Sequence, residues 1–442
     1  MTSLSQLETY SNELATAVKA LADHSRDACA GATPHLTVAP GAPCEVHRAR
    51  RNILTIVARV KALLAEPADF IQHLACQNQL LACLQWLGEF QVLACIPLSG
   101  SIPAKDVADV VGVPEMQLCR IVRMTATAGF LYEPQSGHIA HTALSAPFVT
   151  KLSYLDAIMF LAETAAPAAL QMAAATQHHR HSDRPFETAY NLAFNTSQTF
   201  QSACKQRMKL QRQWSAYSRC SGDLDDSVTE FLSRLDWPSL GNACIVDVGA
   251  HSTAAAMALS ELYPALHFIV QMSEPASTNG TVSLRKEEEL SRRITVQKRT
   301  LGAPQMVKNA AVYILHLPLL SLGESSVLSA RIVAELRPHL SVLRANTSAT
   351  LVLAPRLLPQ PETVDPDVEA MARLHDLSRL QLTNERDMEM EELEEIVNSI
   401  HDSMGRLNVA IKLRSRNSAS VALAVKYQAY ADMHHEAEPT VI

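Results

Sequence analysis

From residue 236 to the C-terminus, short apolar runs alternate with segments of helical periodicity. The runs are ACIVDVGA, LHFIVQM, RITVQ, AAVYILHL, ATLVLAP, NVAIKLRS and SVALAVKYQ. Strands separated by helices favour a parallel sheet with helices on both faces, and the last two runs are close enough to form an antiparallel edge. The sequence therefore predicts a Rossmann-like α/β domain over residues 236–442.

Residues 104–149 follow a different pattern. A short helix is predicted to end at Gly112, and a second is predicted to begin after Pro114 and to end at Gly129. Two short β-like segments then flank the turn at residues 135–137. This order is typical of a winged helix-turn-helix, so the α/β domain is predicted to be preceded by an α-helical winged-helix domain.

The chain is predicted to divide into four segments. A Gly-, Pro- and Ala-rich stretch between residues 29 and 43 has no helical periodicity and marks a linker. The predicted segments are an N-terminal helix with a flexible linker (1–45), a helical and winged-helix domain of the dimerisation type (46–152), a helical connecting segment (153–235) and the α/β domain (236–442).

A winged helix can insert its second helix into the major groove of DNA, which requires a basic surface. Arg120 and Arg123 are the only basic residues of that helix, and the chain has a formal net charge of −7. Acidic residues balance the basic ones over the whole motif: Lys105, Arg120, Arg123 and Lys151 are offset by Asp106, Asp109, Glu115 and Glu133. We therefore expect a packing or dimerisation module and no direct DNA binding.

The helical segment before the winged helix is apolar on more than one face. The residues concerned are Leu80, Leu84, Leu87, Phe90 and Leu93. A helix that is apolar all round must be buried, which predicts a homodimer or a close association through the helices of residues 50–160.

Metal and membrane sites are not expected. His178, His179 and His181 lack acidic or thiol companions at helical spacing, and neighbouring loop-forming residues favour a solvated loop over a metal site. The nine cysteines are odd in number and scattered, which favours reduced thiols. No apolar run of about 18 residues is uninterrupted, so we expect an intracellular protein with no membrane span.

In a sheet of this kind, a ligand binds at the carboxyl ends of the strands, where the first strand-to-helix turn is glycine-rich. The segment VDVGAHSTAAAMALSELYPALHFIVQ, after a winged helix and a helical segment, resembles the S-adenosylmethionine-dependent O-methyltransferases of fungi and plants over roughly residues 69–430. Their first motif is DxGxGxG. Asp247 and Gly249 match it, whereas the next two glycines are replaced by His251 and Thr253.

Further positions depart from the pattern that this resemblance implies. The acid that would hold the ribose hydroxyls of the cofactor falls on Met272, which has no strong acceptor, and Glu274 lies two residues away. The acid and the aromatic residue near the adenine fall on Thr300 and Leu301.

The general base of these enzymes belongs to an HDW signature, which falls here on Leu320-Ser321-Leu322. Leucine cannot accept a proton. His316 lies four residues earlier and has two interpretations, a substitute base or a half-buried packing histidine. Asn384 and Glu385 match a polar pair near the residues that orient the base. The resemblance thus predicts a degenerate methyltransferase-like domain, a pseudoenzyme with no catalytic residue, no cofactor and only the motif remnants Asp247 and Gly249.

Within this superfamily, four segments resemble transcriptional co-activators of fungal polyketide gene clusters of the aflatoxin type: NQLLACLQWLGEFQVLACIPL, VADVVGVPE, FIVQ and DLSRLQLTN. The resemblance implies a Zn₂Cys₆ pathway-specific transcription factor as partner and a location in nucleus and cytoplasm. The alternative is an active S-adenosylmethionine-dependent O-methyltransferase acting on an aromatic polyketide. Binding of the cofactor by the purified protein would separate the two.

Overall fold

The structure is a computed structural model of the 442-residue chain. It describes residues 3–28, 44–180, 184–220, 240–250, 253–272, 293–317, 328–353, 357–361, 363–364, 366–414, 421–430 and 440–441. The chain divides into two compact units, an N-terminal unit of residues 1–222 with 381–384 and a C-terminal unit of residues 223–380 with 385–442. The four-part division of the sequence is finer than these units and stays a prediction.

The N-terminal unit begins with helices. They are α1 (Ser3–Ala28), α2 (Cys44–Leu64), α3 (Pro67–Glu89) and the short α4 (Val92–Cys95). Helix α1 packs mainly on α2. Pro67 occupies the first turn of α3, where a missing N–H costs no intrahelical hydrogen bond.

The winged helix follows. It consists of β1 (Ile102–Pro103), α5 (Ala104–Val111), α6 (Glu115–Ala126), β2 (Leu131–Tyr132) and β3 (His138–His141). The three strands form an antiparallel sheet in the order β1-β3-β2. Gly112 ends α5 in the left-handed conformation at φ 71°, as its position in the sequence predicts. Leu87, Leu118 and Leu131 lie in the core of this part.

The rest of the N-terminal unit is helical and packs around aromatic side chains. Its elements are α7 (Pro147–Thr150), α8 (Leu152–Phe160), a π-helical turn (Leu161–Ala165), α9 (Ala166–Leu170), α10 (Met172–His179), α11 (Ala189–Ala193), α12 (Phe200–Gln206) and α13 (Met208–Cys220). Phe160 is fully buried, with its ring centroid 5.2 Å from that of Trp214 and 5.0 Å from that of Tyr217. Such tilted contacts add to the free energy of apolar burial.

The C-terminal unit alternates strands and helices. Its strands are β4 (Cys244–Val248), β5 (His267–Met272), β6 (Ile294–Lys298), β7 (Val312–Leu315), β8 (Thr350–Leu353), β9 (Leu357–Leu358), β10 (Met388–Glu389), β11 (Gly405–Arg414), β12 (Val421–Ala429) and β13 (Thr440–Val441). Its helices are α14 (Ala254–Leu262), α15 (Leu328–Ala345), α17 (Met390–Asn398) and most of α16 (Pro366–Thr383), whose last residues from 381 onward belong to the N-terminal unit.

Eight of these strands form one sheet in the order β13-β11-β12-β8-β7-β4-β5-β6. The central strands β4 to β8 run parallel, whereas β12 is antiparallel to both β8 and β11. In the strand register, Asp247 on β4 is paired with Ile314 on β7 and with Val270 on β5. The Rossmann-like sheet with an antiparallel edge, which the sequence predicts, is confirmed.

Apolar side chains cover both faces of this sheet. One cluster contains Val246, Tyr313 and Leu351, and the other contains Ile245, Phe268 and Val270. Strands buried on both faces are apolar throughout, so their sequences show no alternation.

Among the described residues, no single helix is long and apolar enough to cross a bilayer, although the bent pair Leu152–Leu170 and Met172–His179, at 44°, satisfies length and composition when taken together.

Candidate functional site

The candidate site lies at the carboxyl ends of the parallel strands of the C-terminal unit. Asp247, near the end of β4, is 2% exposed, and its Oδ1 atom lies 2.7 Å from Nε2 of His316. His316 comes directly after β7, and its backbone N–H donates to the carbonyl of Val248 at 3.0 Å. Because β4 and β7 are parallel neighbours, their ends bring the carboxylate and the imidazole together, so the sequence-predicted residues Asp247 and His316 meet here.

Gly249 follows β4 with φ 76°, a conformation that side chains with a Cβ rarely adopt. A Cβ added at this position would lie 3.1 Å from the backbone oxygen of His316. The N–H groups of Gly249 and Ala250 both donate to the carbonyl of Gln271, at 2.8 and 3.2 Å. Packing within the protein therefore explains this glycine, independently of any ligand.

Thr253 and His251 stand where the methyltransferase motif has glycines. Thr253 is half-buried at the start of α14, and its hydroxyl lies 3.6 Å from the sulfur of Met257. His251 lies outside the described residues. The structure therefore shows a side chain at one of the two replaced positions.

Met272, at the position of the expected ribose acid, ends β5 and is 8% exposed. Its side chain belongs to the apolar cluster that contains Phe268 and Val270. Its carbonyl accepts from the N–H of Arg299 at 3.0 Å. Met272 thus packs in the core, and Glu274, the other candidate, lies outside the described part of the chain.

The loop after β6 carries Thr300 and Leu301, both exposed. Its neighbours form a buried ion pair, in which Nη1 of Arg299 lies 2.7 Å from Oε2 of Glu335 on α15. The other oxygen of Glu335 accepts from the N–H of Gly302, and Nη2 of Arg299 donates to the carbonyl of Ala303 at 2.6 Å. Glu335 therefore anchors this loop through both of its carboxylate oxygens.

Three more buried polar residues extend this arrangement. The side-chain amides of Gln271 and Gln305 exchange two hydrogen bonds of 3.0 Å. Nε2 of Gln305 also lies 3.4 Å from Nε2 of His339, whose Nδ1 lies 2.8 Å from the carbonyl of Glu335. Nδ1 of His339 therefore carries the proton and donates to that carbonyl. Burial lowers the pKa of His339 to about 4, so the ring is neutral at physiological pH.

Sequence reasoning did not find Arg299, Glu335, Gln305 and His339. Their one sequence signal is a polar residue inside an otherwise apolar segment, as with Gln271 in FIVQM. Such a residue needs a hydrogen-bond partner when it is buried, but the sequence does not show which partner it meets.

The structure describes Asn384 of the predicted orienting pair, but not the positions predicted for the general base. Leu320, Ser321 and Leu322 lie outside the described residues. Asn384, at φ 56°, donates from Nδ2 to the carbonyls of Arg184 and Glu187, at 2.8 and 3.0 Å. This amide holds a backbone segment of the N-terminal unit.

Chemically, the pair of Asp247 and His316 can hold one proton between Nε2 and Oδ1. A carboxylate in this position orients the imidazole. The His316 side chain is 20% exposed, so its ring is partly accessible. The pair is compatible with a proton-accepting role or with a purely structural one.

In the winged helix, Arg123 is bound by an acid of the wing. Its Nε and Nη2 donate to the two carboxylate oxygens of Glu133, at 2.8 and 3.0 Å. Hydrogen bonds from Arg123 and from the Gly137 backbone lower the pKa of Glu133 to about 2. One of the two basic residues of α6 is thus engaged within the motif, and Arg120 is exposed.

Two of the three clustered histidines lie in the described part of the chain. His178 and His179 end α10, and Nδ1 of His179 lies 4.0 Å from Oε2 of Glu187, while His181 is outside the described residues. In the part of the chain that can be described, no group of three or more His, Cys, Asp or Glu residues is arranged to hold a metal ion.

Comparison with known proteins identifies the family. Residues 4–65 match the sequence profile described as the N-terminal domain of the trypacidin cluster transcriptional coactivator tpcD. A transcriptional coactivator of Pseudocercospora fijiensis is 60% identical over 355 residues, which are 80% of this chain and 97% of that protein. The trypacidin cluster transcriptional coactivator tpcD of Aspergillus fumigatus is 48% identical over 97% of this chain and 98% of its own length.

Solved structures with the same fold are much more distant in sequence. LepI, in complex with SAH and a substrate analogue, is 15% identical with a TM-score of 0.62, covering 86% of this chain and 94% of LepI. The mitomycin 7-O-methyltransferase MmcR is 16% identical with a TM-score of 0.59, covering 84% of this chain and 99% of MmcR. The chain therefore has a methyltransferase fold and belongs to the family of transcriptional coactivators of fungal secondary-metabolite gene clusters.

Proposed function

We propose that the chain co-activates an aromatic polyketide gene cluster by binding a Zn₂Cys₆ transcription factor, and that it does not transfer methyl groups. The observation that carries this proposal is the near full-length similarity to cluster coactivators, combined with a methyltransferase fold whose motif positions are occupied by other side chains. Co-activation acts in the nucleus, and we propose that the protein is also present in the cytoplasm.

The residues at the strand ends support the loss of cofactor binding. In active relatives of this fold, bare backbone and an acid would meet the cofactor, whereas here Met272 packs in the core and Thr253 carries a side chain. The Asp247 carboxylate lies against His316, and the N–H groups of Gly249 and Ala250 bond to Gln271. The described residues therefore fit S-adenosylmethionine poorly, and we assign no cofactor and no catalytic residue.

One observation favours the alternative, an active O-methyltransferase. His316 and Asp247 form an imidazole–carboxylate pair at the edge of the sheet where substrates bind in this fold. A base in this position would need a bound cofactor beside it to serve in methyl transfer. Cofactor binding therefore decides between the two functions.

The winged helix supports a protein partner instead of direct DNA binding. Arg123 is held by Glu133, and this pair removes one cation from the face that would approach phosphates. A coactivator without its own DNA-reading surface must reach its promoters through a DNA-binding protein. We therefore assign the sequence-specific contact to the zinc-cluster factor.

We also propose a homodimer formed through α3. Leu87 and Leu93 lie in the core of the N-terminal unit, but Phe90 is 41% exposed. All residues from 64 to 79 are exposed, and they include Phe70 at 61% and Ile71 at 66%. A helix with such an uncovered apolar half is stable in water when a second surface covers it.

The test combines genetics with calorimetry. Deleting the gene should lower the transcripts of one polyketide cluster, and the purified protein should show no heat of binding with S-adenosylmethionine. A dissociation constant in the micromolar range, on the order of −8 kcal/mol, would contradict the absence of a cofactor. Unchanged cluster transcripts in the deletion strain would contradict co-activation.

A further inference from the structure

Helix α2 has one buried face and one exposed face. Ala49 and Ile56, two turns apart on one side of the helix, are buried, and α1 is the helix against which α2 packs. On the other side, Leu54 and Val57 are each 48% exposed. Two aliphatic side chains one turn apart on an exposed face form a continuous apolar strip, which is unlike an isolated surface leucine.

Basic residues border this strip. Arg50, Arg51 and Lys61 are exposed, and about 3.6 residues complete each helical turn, so they fall on the same side as Leu54 and Val57. We call these five residues the basic face of α2. The Nζ atom of Lys61 lies 2.9 Å from a ring nitrogen of His73 on α3, so Lys61 already has a polar contact within the chain.

The charge of α2 differs from that of the chain. The helix contains five basic residues and one acidic residue, in the sequence CEVHRARRNILTIVARVKALL, whereas the whole chain has a formal net charge of −7. A local positive field on a negative protein attracts acidic partners before contact is made. This helix also lies within the segment matched by the coactivator profile.

We infer that the basic face of α2 binds an acidic amphipathic helix of the transcription-factor partner, an inference that rests on the proposed function. The partner helix would place leucine- or phenylalanine-type side chains, spaced three and four residues apart, on Leu54 and Val57. Its flanking Asp and Glu residues would pair with Arg50 and Arg51, whose planar guanidinium groups bind carboxylates through two parallel hydrogen bonds.

Two other occupants fit less well. A twofold contact of α2 with α2 of a second copy would bring two positively charged faces together, and like charges in contact are repulsive. Nucleic acid would satisfy Arg50 and Arg51, but its phosphates offer nothing to the aliphatic strip of Leu54 and Val57, which would lie uncovered. An acidic amphipathic helix would pair with the two arginines and also cover the aliphatic strip.

The experiment uses the full chain and the full-length zinc-cluster transcription factor encoded in the same gene cluster. Arg50→Glu with Arg51→Glu reverses the charge of the basic face, and Leu54→Ala with Val57→Ala removes its apolar strip. Lys105→Glu with Arg120→Glu, at exposed positions of the winged helix, changes the net charge by the same amount and is the matched control. Affinity is measured by biolayer interferometry at about 50 and 500 mM NaCl, and oligomeric state by light scattering.

We expect both α2 variants to weaken binding of the factor at least tenfold, while the control variant binds like the unmodified chain. Higher salt should weaken binding by the unmodified chain and have little effect on the charge-reversed variant. Affinities within twofold of the unmodified chain for both α2 variants would overturn the inference while leaving the proposed function intact.

Three further results would also overturn it. The first is binding of plain duplex DNA by the unmodified chain that is lost in the charge-reversed variant. The second is a change of oligomeric state in that variant, which would assign the face to a second copy. The third is failure of the unmodified chain to bind the factor, which would overturn the proposed partner as well.

Discussion

The Nε2 atom of His316 lies 2.7 Å from the Oδ1 atom of Asp247, although the two residues are 69 positions apart in the chain. Asp247 is the predicted remnant of the cofactor motif, and His316 is the candidate substitute base. Their contact gives each a partner that requires no ligand. Substitutions at this pair can therefore separate a loss of stability from a loss of catalytic function.

Asp247→Asn should leave cluster transcription nearly unchanged. The Asn side-chain oxygen can still accept a hydrogen bond from Nε2 of His316, so we expect a loss of stability of about 1 kcal/mol. Transcript levels and protein abundance are measured together in the complemented deletion strain. Loss of transcription at normal abundance would favour the methyltransferase alternative, because removal of a catalytic interaction lowers rate without unfolding the protein.

Gly249→Ala should destabilise the chain more than Gly241→Ala. Both glycines have positive φ, at 76° and 58°, but only at Gly249 would the new Cβ meet a neighbour, the His316 oxygen at 3.1 Å. The left-handed conformation costs about 1 kcal/mol at either site, and crowding adds to it at Gly249. Urea denaturation measures the difference, and equal losses would contradict the close approach of β4 and β7.

Arg299→Leu should destabilise the chain by about 3–5 kcal/mol, because it leaves the buried Glu335 carboxylate without its cation. Arg344→Leu is the matched control: its ion pair with Asp402 measures 2.8 Å, close to the 2.7 Å of the Arg299 pair, but the Arg344 side chain is 49% exposed, against 8% for Arg299. An exposed pair contributes about 0–1 kcal/mol. Similar losses for the two variants would show that Glu335 is not buried in solution.

Acid should destabilise the C-terminal unit through His339. Its pKa is about 4 in the folded chain and near 6.5 when unfolded, so the unfolded state binds more protons between these values. The neutral His339 ring therefore makes its full contribution to stability above about pH 6.5. Below that, the free energy of unfolding falls by up to about 1.4 kcal/mol per pH unit toward pH 4. Denaturation at several pH values should show a shallower dependence in His339→Gln. An unchanged slope would mean that His339 is solvated.

Phe70→Glu with Leu74→Glu should convert the proposed dimer to a monomer in light scattering at micromolar concentration. These residues are 61% and 53% exposed, and charges placed in an apolar interface remain unpaired. Leu170→Glu with Met208→Glu, at positions that are 81% and 83% exposed, is the control and should leave the dimer intact. A monomer without any substitution would contradict the dimer itself.

The strands could be predicted from the sequence because their signal is local. Each apolar run from ACIVDVGA to SVALAVKYQ contains a strand of the observed sheet, and Gly112 ends α5 as its residue type suggests. The buried polar residues could not be placed in the same way. Arg299 meets Glu335 across 36 positions, and Gln271 meets Gln305 across 34, so only the folded sheet brings them together.

The candidate site was predictable only in part for the same reason. The departures at Thr253 and Met272 are visible in a single sequence, since they are mismatches to a short motif. The contact of Asp247 with His316 depends on two strands that are neighbours in space and distant in sequence. Likewise, the pattern matched Asn384 to an orienting pair, but its amide binds backbone carbonyls of the N-terminal unit.

The close approach of Gly249 to the His316 backbone has a consequence for how lost activities are traced. Because the left-handed backbone and the close approach to the His316 oxygen both disfavour a side chain there, a stable sheet by itself favours glycine at this position. A lineage can therefore stop methylating and still carry the opening of the motif for as long as it keeps the fold. The presence of Gly249 alone is therefore no evidence of methyl transfer.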